Sequence, residues 1–152
     1  MMEGLEAFVV AAKAATYVGA GQKVEPSRKG AFDLTYAEGD FTYRDSYFGG
    51  TDFVGQEVVW RGDEPVWAMN YYGRVLASDV FDGATGAEVI RAALSAMYQE
   101  GRFLGGFDFS HEGYIYEDRS SGAVGQFTGI ERILRDGREL YRLDYHGGVI
   151  VP

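Results

Sequence analysis

Two glutamates, Glu57 and Glu131, occupy equivalent positions in two similar segments of the chain. Residues 54–76 and 128–150 align without a gap at an offset of 74, with six identities in twenty-three positions. Two facing carboxyl groups can act as acid and base when their surroundings separate their pKa values, and they can also bind a cation or an amine. The alternative is that each glutamate pairs with a nearby arginine on a solvated surface: Arg61, Arg135 or Arg142.

The same alignment predicts which polar side chains accompany the glutamates. A two-residue turn at residues 63–64 would place Trp60 opposite Trp67, and side chains alternate between the two faces of a strand. This register leaves one face apolar, under the helices, and puts six side chains on the other, half-polar face: Glu57, Asn70, Tyr72, Glu131, Asp144 and His146. Flat rings with polar tips beside carboxylates are typical of small-ligand pockets. The alternative is that the aromatic residues at the strand ends close the core.

Three more residues are candidates for the rim of such a pocket. Asp45 lies between Tyr43 and Tyr47 on one face of a predicted strand, where it can accept hydroxyl hydrogen bonds or recognise a polar ligand. Arg28 lies in a polar loop over residues 20–30 and can hold an anion. The alternatives are a satisfied network within the strand and a plain exposed loop.

Composition excludes several classes of function. The chain of 152 residues has no cysteine, so disulfides, thiolate catalysis and cysteine-based zinc sites are absent. No spacing indicates a metal site or a cofactor, and His146 has no evident nucleophile beside it. The net charge of −9 argues against binding to nucleic acid or to an anionic membrane. The apolar start lacks the basic region of a signal peptide, so we expect a cytoplasmic protein.

The elements predicted around these residues form one domain over residues 1–152. A helix over about residues 2–16 precedes the first group of strands. A second helix, with a capping box at Thr85 and Glu88 and a C-terminal cap at Gly101, precedes the second group. We therefore predict an α+β fold of two pseudo-repeated halves, about 1–77 and 85–152, each a helix plus antiparallel strands. The halves would form one strongly curved, largely antiparallel sheet with two main helices. The alternative is two unrelated hairpins with ordinary turns.

The segments "PSR", "DSYFGG", "FVGQEVVW", "PVWAMNYYG" and "YHGGVI" are the most distinctive pieces of the chain. With these pieces the chain resembles an uncharacterised bacterial family, a domain of unknown function that occurs alone or behind an XRE-type helix-turn-helix. The resemblance implies a cytoplasmic module that senses something when it is fused to a DNA-binding domain, and it transfers no catalytic residue. Because the first predicted helix starts at the second residue, we expect the stand-alone form.

The favoured hypothesis is a small-molecule-binding or regulatory module. Its pocket would lie between the two halves, lined by the six polar side chains, with Tyr43, Asp45 and Arg28 at the rim. Without a nucleophile, binding is favoured over catalysis. Two alternatives stay open: a hydrolase or isomerase that uses the two glutamates, and an interaction module that forms a homodimer through a sheet edge or an aromatic patch.

Overall fold

The computed structural model describes residues 2–19 and 21–152, and about half of the chain is β-strand. Within these described residues, nine antiparallel strands form one sheet: β1 Gln22–Val24, β2 Phe32–Glu38, β3 Phe41–Gly49, β4 Phe53–Arg61, β5 Glu64–Val75, β6 Phe107–His111, β7 Tyr114–Ala123, β8 Gln126–Arg135 and β9 Arg138–Val149. Their order across the sheet is β1-β2-β3-β4-β5-β9-β8-β7-β6.

The predicted fold class is wrong. Strands make up 51% of the chain and helices only 21%, and the sheet is neither strongly curled nor closed. A closed sheet needs its two edge strands to pair, whereas β1 and β6 do not pair in the described part of the chain. The second group of strands instead extends the sheet sideways, because β9 pairs with β5 at its centre. The protein is therefore mainly an open antiparallel sheet with two short helices, not a two-helix pseudo-repeat.

The helices begin and end at somewhat different residues than predicted. Helix α1 spans Leu5–Lys13 and continues into a π-helical turn, Ala14–Val18. Helix α2 spans Gly83–Gln99. The capping box at Thr85 is wrong: Asp82 is the N-cap, and its side chain accepts a 2.8 Å hydrogen bond from the Thr85 amide. The predicted C-terminal cap of this helix is confirmed, since Gly101 follows the helix with a φ of 76°.

The register of the β4–β5 hairpin differs from the prediction by one residue. Arg61 pairs with Glu64, so the turn comprises residues 62–63, and a bulge between Val59 and Trp60 shifts the pairing again. Val59 therefore lies opposite Trp67, and Trp60 does not. Since a one-residue slip moves a side chain to the other face of the sheet, Glu57 lies on the face opposite to the one predicted.

The core lies between the helices and the face of the sheet that they cover. Fully buried side chains from both groups of strands meet there, with Trp67, Tyr116 and Tyr141 the largest. The Trp67 indole nitrogen donates a 3.0 Å hydrogen bond to the Val124 carbonyl, which satisfies the one polar atom of this side chain. Within residues 2–19 and 21–152, no helix combines the length and the apolar character needed to cross a membrane.

Candidate functional site

A small cavity of about 60 Å³ lies in the core between the helices and the covered face of the sheet. Its walls combine apolar side chains with an unusual number of acidic and phenolic ones. The lining residues that carry ionisable groups are Lys13, Tyr17, Tyr43, Asp45, Glu57, Tyr71, Tyr98, Asp118, Glu131 and Tyr145. A buried cavity with several ionisable groups is a candidate binding or catalytic site.

Four of these residues form what we call the first set: Tyr43, Asp45, Glu57 and Tyr71. Asp45 on β3 and Glu57 on β4 are direct cross-strand partners, so their side chains lie side by side on one face. The Tyr43 hydroxyl donates a hydrogen bond to Glu57, and the Tyr71 hydroxyl donates one of 2.6 Å to Asp45. Each carboxyl group of the pair is thus held by one tyrosine.

A second set repeats this arrangement with Tyr116, Asp118, Glu131 and Tyr145. Asp118 on β7 and Glu131 on β8 are direct cross-strand partners. The Tyr116 hydroxyl donates to Glu131, and the Tyr145 hydroxyl donates to Asp118 at 2.6 Å. Each member lies 73 or 74 positions after its counterpart in the first set. Tyr71 and Tyr145 are themselves cross-strand partners on β5 and β9, so the two sets meet at the centre of the sheet.

Two glycines allow the tyrosines to reach the aspartates. Gly55 is the cross-strand partner of Tyr71, and Gly129 is the partner of Tyr145. A β-carbon at either glycine would overlap the tyrosine side chain that lies across it. The absence of a side chain at these positions therefore determines how the tyrosines are oriented.

Lys13, the last residue of α1, supplies a buried positive charge. Its ammonium nitrogen lies 2.9 and 2.8 Å from the two Glu57 oxygens and 3.4 Å from the Met69 sulfur. It also lies 5.0 Å from the centre of the Phe103 ring. Among the described residues, no cationic group comes within 4.0 Å of the carboxyl oxygens of Asp45, Asp118 or Glu131. Only one of the four carboxyl groups of the cavity is therefore directly neutralised.

The other three carboxyl groups have raised pKa values. Burial raises the pKa of Asp45 to about 7, and the charge of Glu57 adds to this shift. Burial raises the pKa of Asp118 to about 6, and burial together with the Asp118 charge raises that of Glu131 to about 8. Burial likewise raises the pKa values of the four tyrosines, so their hydroxyls stay protonated and act as donors.

Tyr17 connects the cavity to the surface. It belongs to the π-helical turn, a distortion that is frequent at functional sites. Its side chain lines the cavity and also an adjacent surface groove of about 490 Å³, and the residue is 37% exposed. Asp45 and Tyr71 line both spaces as well, whereas Arg91 lines only the groove. A ligand can therefore approach the first set from this groove.

Comparison with known families assigns the chain to one of them. A family model described as "Domain of unknown function (DUF5680)" matches residues 45–150. The chain belongs to the DUF5680 family. The match includes both sets except Tyr43, while Lys13 and Tyr17 precede it. Comparison with curated proteins and with solved structures gave no significant match. The prediction of a domain of unknown function is confirmed, and the family carries no assigned activity.

The cavity brings together four of the residues predicted from the sequence. Glu57, Glu131, Tyr43 and Asp45 all line the cavity. The alternative of a solvated pairing with arginine is wrong for both glutamates, because they are only 5% and 7% exposed and neither contacts an arginine. The arginines have other partners: Arg61 pairs with Asp40, Arg135 stacks on Tyr114, and Arg142 pairs with Asp144.

Four predicted residues lie together on the opposite, exposed face. Asn70 pairs across the strands with His146, and Tyr72 pairs with Asp144. They line a broad surface groove that does not include Glu57 or Glu131. The prediction that all six share one face is therefore wrong, and the bulges at Val59–Trp60 and Ile133–Leu134 are the reason.

Arg28 is separated from the cavity. It lies in the loop between β1 and β2, where its guanidinium donates a 3.2 Å hydrogen bond to Ser46 and lies 4.9 Å from the centre of the Phe48 ring. These contacts anchor the loop to the face of the sheet that the helices leave uncovered. Arg28 therefore does not form the rim of the cavity, and its binding of an anion stays a prediction.

The sequence reasoning missed five residues, Lys13 and four members of the two sets: Tyr71, Tyr116, Asp118 and Tyr145. A signal for the four set members was present, because an offset of 73 instead of 74 aligns Tyr43 and Asp45 with Tyr116 and Asp118, and Tyr145 already matched Tyr71. Lys13 has no such signal, since it belongs to an isolated helix.

A cluster of possible metal ligands lies elsewhere in the DUF5680 domain. Among the described residues, only one group of three Asp, Glu, His or Cys side chains has its ligand atoms all within 4.8 Å of one another: Glu88, His111 and Glu112. They lie at the surface, and exposed groups of this kind are common without function. The carboxyl groups of the cavity form no such three-residue cluster among the described residues.

Proposed function

We propose that this protein is a small-molecule-binding or regulatory module whose ligand is a small positively charged molecule held in the cavity. The observation that carries the proposal is the excess of buried carboxyl groups over buried cations. If all four carboxyl groups were ionised, Lys13 would leave a net charge of −3 in the cavity. A bound cation would stabilise the ionised forms of Asp45, Asp118 and Glu131, so binding would release protons.

Asp33 provides an internal comparison. Its side chain is as buried as that of Asp118, with 2% of each residue exposed. Although burial opposes ionisation, hydrogen bonds from Arg44, Ser27 and Ser46 hold the pKa of Asp33 at about 2. Both of its oxygens have partners, including a 2.8 Å bond from Ser46. The fold can thus satisfy a buried carboxylate, and the incomplete satisfaction of the cavity carboxyls supports a ligand.

A thermal-shift screen tests the proposal directly. The panel contains small cations (potassium, calcium, ammonium, methylammonium and short diamines) together with neutral and anionic metabolites of similar size. A ligand at about a hundred times its dissociation constant adds about 2.7 kcal/mol to the free energy of unfolding. We expect only cations to stabilise the protein. The Asp118→Asn/Glu131→Gln double variant should lose that stabilisation.

Asp144→Asn is the matched control for this screen. Like the substitutions in the double variant, it replaces a carboxyl group by an amide, but on the exposed face and outside the cavity. It should respond to cations as the wild type does. Stabilisation by anions only, or an equal loss of response in the control, would contradict the proposal, as would silence across the panel.

A carboxylate-based hydrolase or isomerase is a second candidate function. It is favoured by the different surroundings of Glu57, which pairs with Lys13, and Glu131, whose pKa burial raises to about 8. The cavity has room for only a few atoms, so a substrate would be small. Incubation with small carbonyl compounds in deuterium oxide, followed by NMR, would detect proton exchange. Glu131→Gln should abolish it if this function is correct.

The predictions about duplication, origin, location and partners stay predictions. An internal duplication is supported by the two sets and by the pairing of Tyr71 with Tyr145, its counterpart at an offset of 74. A bacterial origin, a cytoplasmic location, fusion to a helix-turn-helix in relatives and homodimer formation rest on the sequence alone. A regulatory role would follow if cation binding altered the docking of such a partner domain.

A further inference from the structure

We propose that the second set binds a primary ammonium group, in the way that the first set binds the ammonium of Lys13. This inference rests on the proposed function and names its ligand class. It predicts that the ligand is an amine whose N–H groups donate hydrogen bonds to several acceptors. The site would be centred on Glu131 and Asp118.

The surroundings of Lys13 show what the first set accepts. An ammonium is held there by both oxygens of Glu57, by the sulfur of Met69 and by the face of the Phe103 ring. Oxygen acceptors and an aromatic face together are typical of sites for organic cations. The cavity thus already contains one primary ammonium, supplied by the chain itself.

The second set has an equivalent carboxyl pair in a corresponding place, but it lacks the sulfur acceptor that Met69 provides in the first set. Glu131 lies opposite Leu143 on β9, as Glu57 lies opposite Met69 on β5. Phe103 lines the cavity together with residues of both sets. The second set differs in having no lysine, since no described cation is within ion-pair distance of Glu131 or Asp118.

Two carboxyl oxygens of the second set have no hydrogen-bond donor among the described residues. Asp118 and Glu131 line the cavity and are 2% and 7% exposed. One oxygen of each accepts a hydrogen bond, from Tyr145 and Tyr116 respectively. Asp118 Oδ2 and Glu131 Oε2 accept none from the described residues. Because both residues line the cavity, each of these two oxygens can accept a hydrogen bond from a donor placed there.

Geometry favours an ammonium over a metal ion. Calcium requires six to eight oxygen ligands, and magnesium requires near-octahedral coordination at short distances. The cavity carboxyls do not bring even three ligand atoms within 4.8 Å of one another. An ammonium does not need three carboxyl ligands, since that of Lys13 is held by one carboxylate, a sulfur and a ring face. A cavity of about 60 Å³ has room for a group of that size.

The test is an NMR titration of the isotope-labelled protein with methylammonium chloride in an amine-free buffer. Signals of residues around the second set should shift and saturate at one equivalent. Glu131→Gln should weaken binding roughly ten- to a hundredfold, because a hydrogen bond to a charged group is lost. Asp144→Asn, on the exposed face, should bind as the wild type does. Glu131→Gln is expected to fold, since it removes a buried ionisable group.

Tetramethylammonium and calcium separate this inference from the broader proposal. Tetramethylammonium carries the same charge but has no N–H donor, so it should not compete with methylammonium. If calcium or potassium bound at the second set and methylammonium did not, the amine inference would be overturned while the cation proposal survived. If no cation bound, both would fail.

A gain-of-site variant gives a second measurement. Lys13→Met removes the internal ammonium, so the first set should then accept methylammonium as well, and the stoichiometry should rise from one to two. Methylammonium should also raise the melting temperature of this variant more than that of the wild type. A stoichiometry that stays at one in the folded variant would overturn the equivalence of the two sets.

Discussion

Removal of the buried cation by Lys13→Met should destabilise the protein strongly. The Lys13–Glu57 ion pair is 2.8 Å long, and each side chain is only 6% exposed. Methionine keeps most of the apolar stem of lysine, so the substitution removes chiefly the charge. The Glu57 carboxylate would then lie in the core with no counter-charge, beside three other acidic groups.

The expected loss follows from the burial of the pair. Breaking a buried ion pair by removing one partner costs about 3–5 kcal/mol, whereas an exposed pair contributes about 0–1 kcal/mol. With a urea m-value of about 2 kcal/mol per molar, the unfolding midpoint should fall by about 1.5–2.5 M. Glu57→Gln should cost less than Lys13→Met, because the ammonium would still lie among the carboxyl groups of Asp45, Asp118 and Glu131.

Urea unfolding at pH 7, followed by tryptophan fluorescence, measures these differences. Arg138→Met is the control, since it removes a cation from an exposed pair with Asp79 in which the side chains are 53% and 62% exposed. The double variant Lys13→Met/Glu57→Gln should recover part of the loss, which gives the coupling energy of the pair. If Lys13→Met lowered the stability by no more than the control does, the electrostatic description of the cavity would be refuted.

Three further predictions concern stability. The pKa values of Asp118, Asp45 and Glu131 are raised to about 6, 7 and 8, so the contribution of these three groups to stability is fully present below about pH 4 and is lost as the pH rises through those values. The free energy of unfolding should therefore fall by several kcal/mol from about pH 5 to about pH 9. Glu131→Gln should flatten the upper part of a urea-derived pH profile. Gly129→Ala should lower the stability by about 1–3 kcal/mol because its β-carbon overlaps a tyrosine, while Gly50→Ala, where no atom lies within 4 Å, should not. Asp82→Ala should cost about 1 kcal/mol in thermal unfolding through loss of the helix cap, and Asp63→Ala should be neutral.

The elements were predictable from the sequence, but their arrangement was not. The second helix carries a clear apolar periodicity and is followed by Gly101 with a positive φ, and both features are local. The pairing of β5 with β9 is a contact between distant segments, and no local pattern distinguishes it from a closed or curved sheet. The fold class was therefore mispredicted at the one step that depends on long-range pairing.

The candidate site was predicted in part for a similar reason. The repeat identified Glu57 and Glu131 as equivalent, and they do line one cavity. The hairpin register assigned them to the wrong face, because a bulge at Val59–Trp60 adds one residue that the turn chemistry does not reveal. Lys13 could not be found, since its role depends on where a helix docks on the sheet.

Stability does not account for the acidic residues in this core. Replacing a buried ionic group by a well-packed apolar one is often neutral or stabilising, and each unneutralised carboxyl group raises the free energy of the folded state. Apolar side chains such as Leu94, Phe103 and Leu143 already surround the cavity, so the same space could have been filled by more of them. The chain instead keeps one glycine beneath Tyr71 and another beneath Tyr145. The two tyrosine hydroxyls can therefore donate hydrogen bonds to two of the acidic groups. A ligand that brings positive charge would lower the free energy of these groups without changing the sheet, which is the physical argument for the proposed cationic ligand.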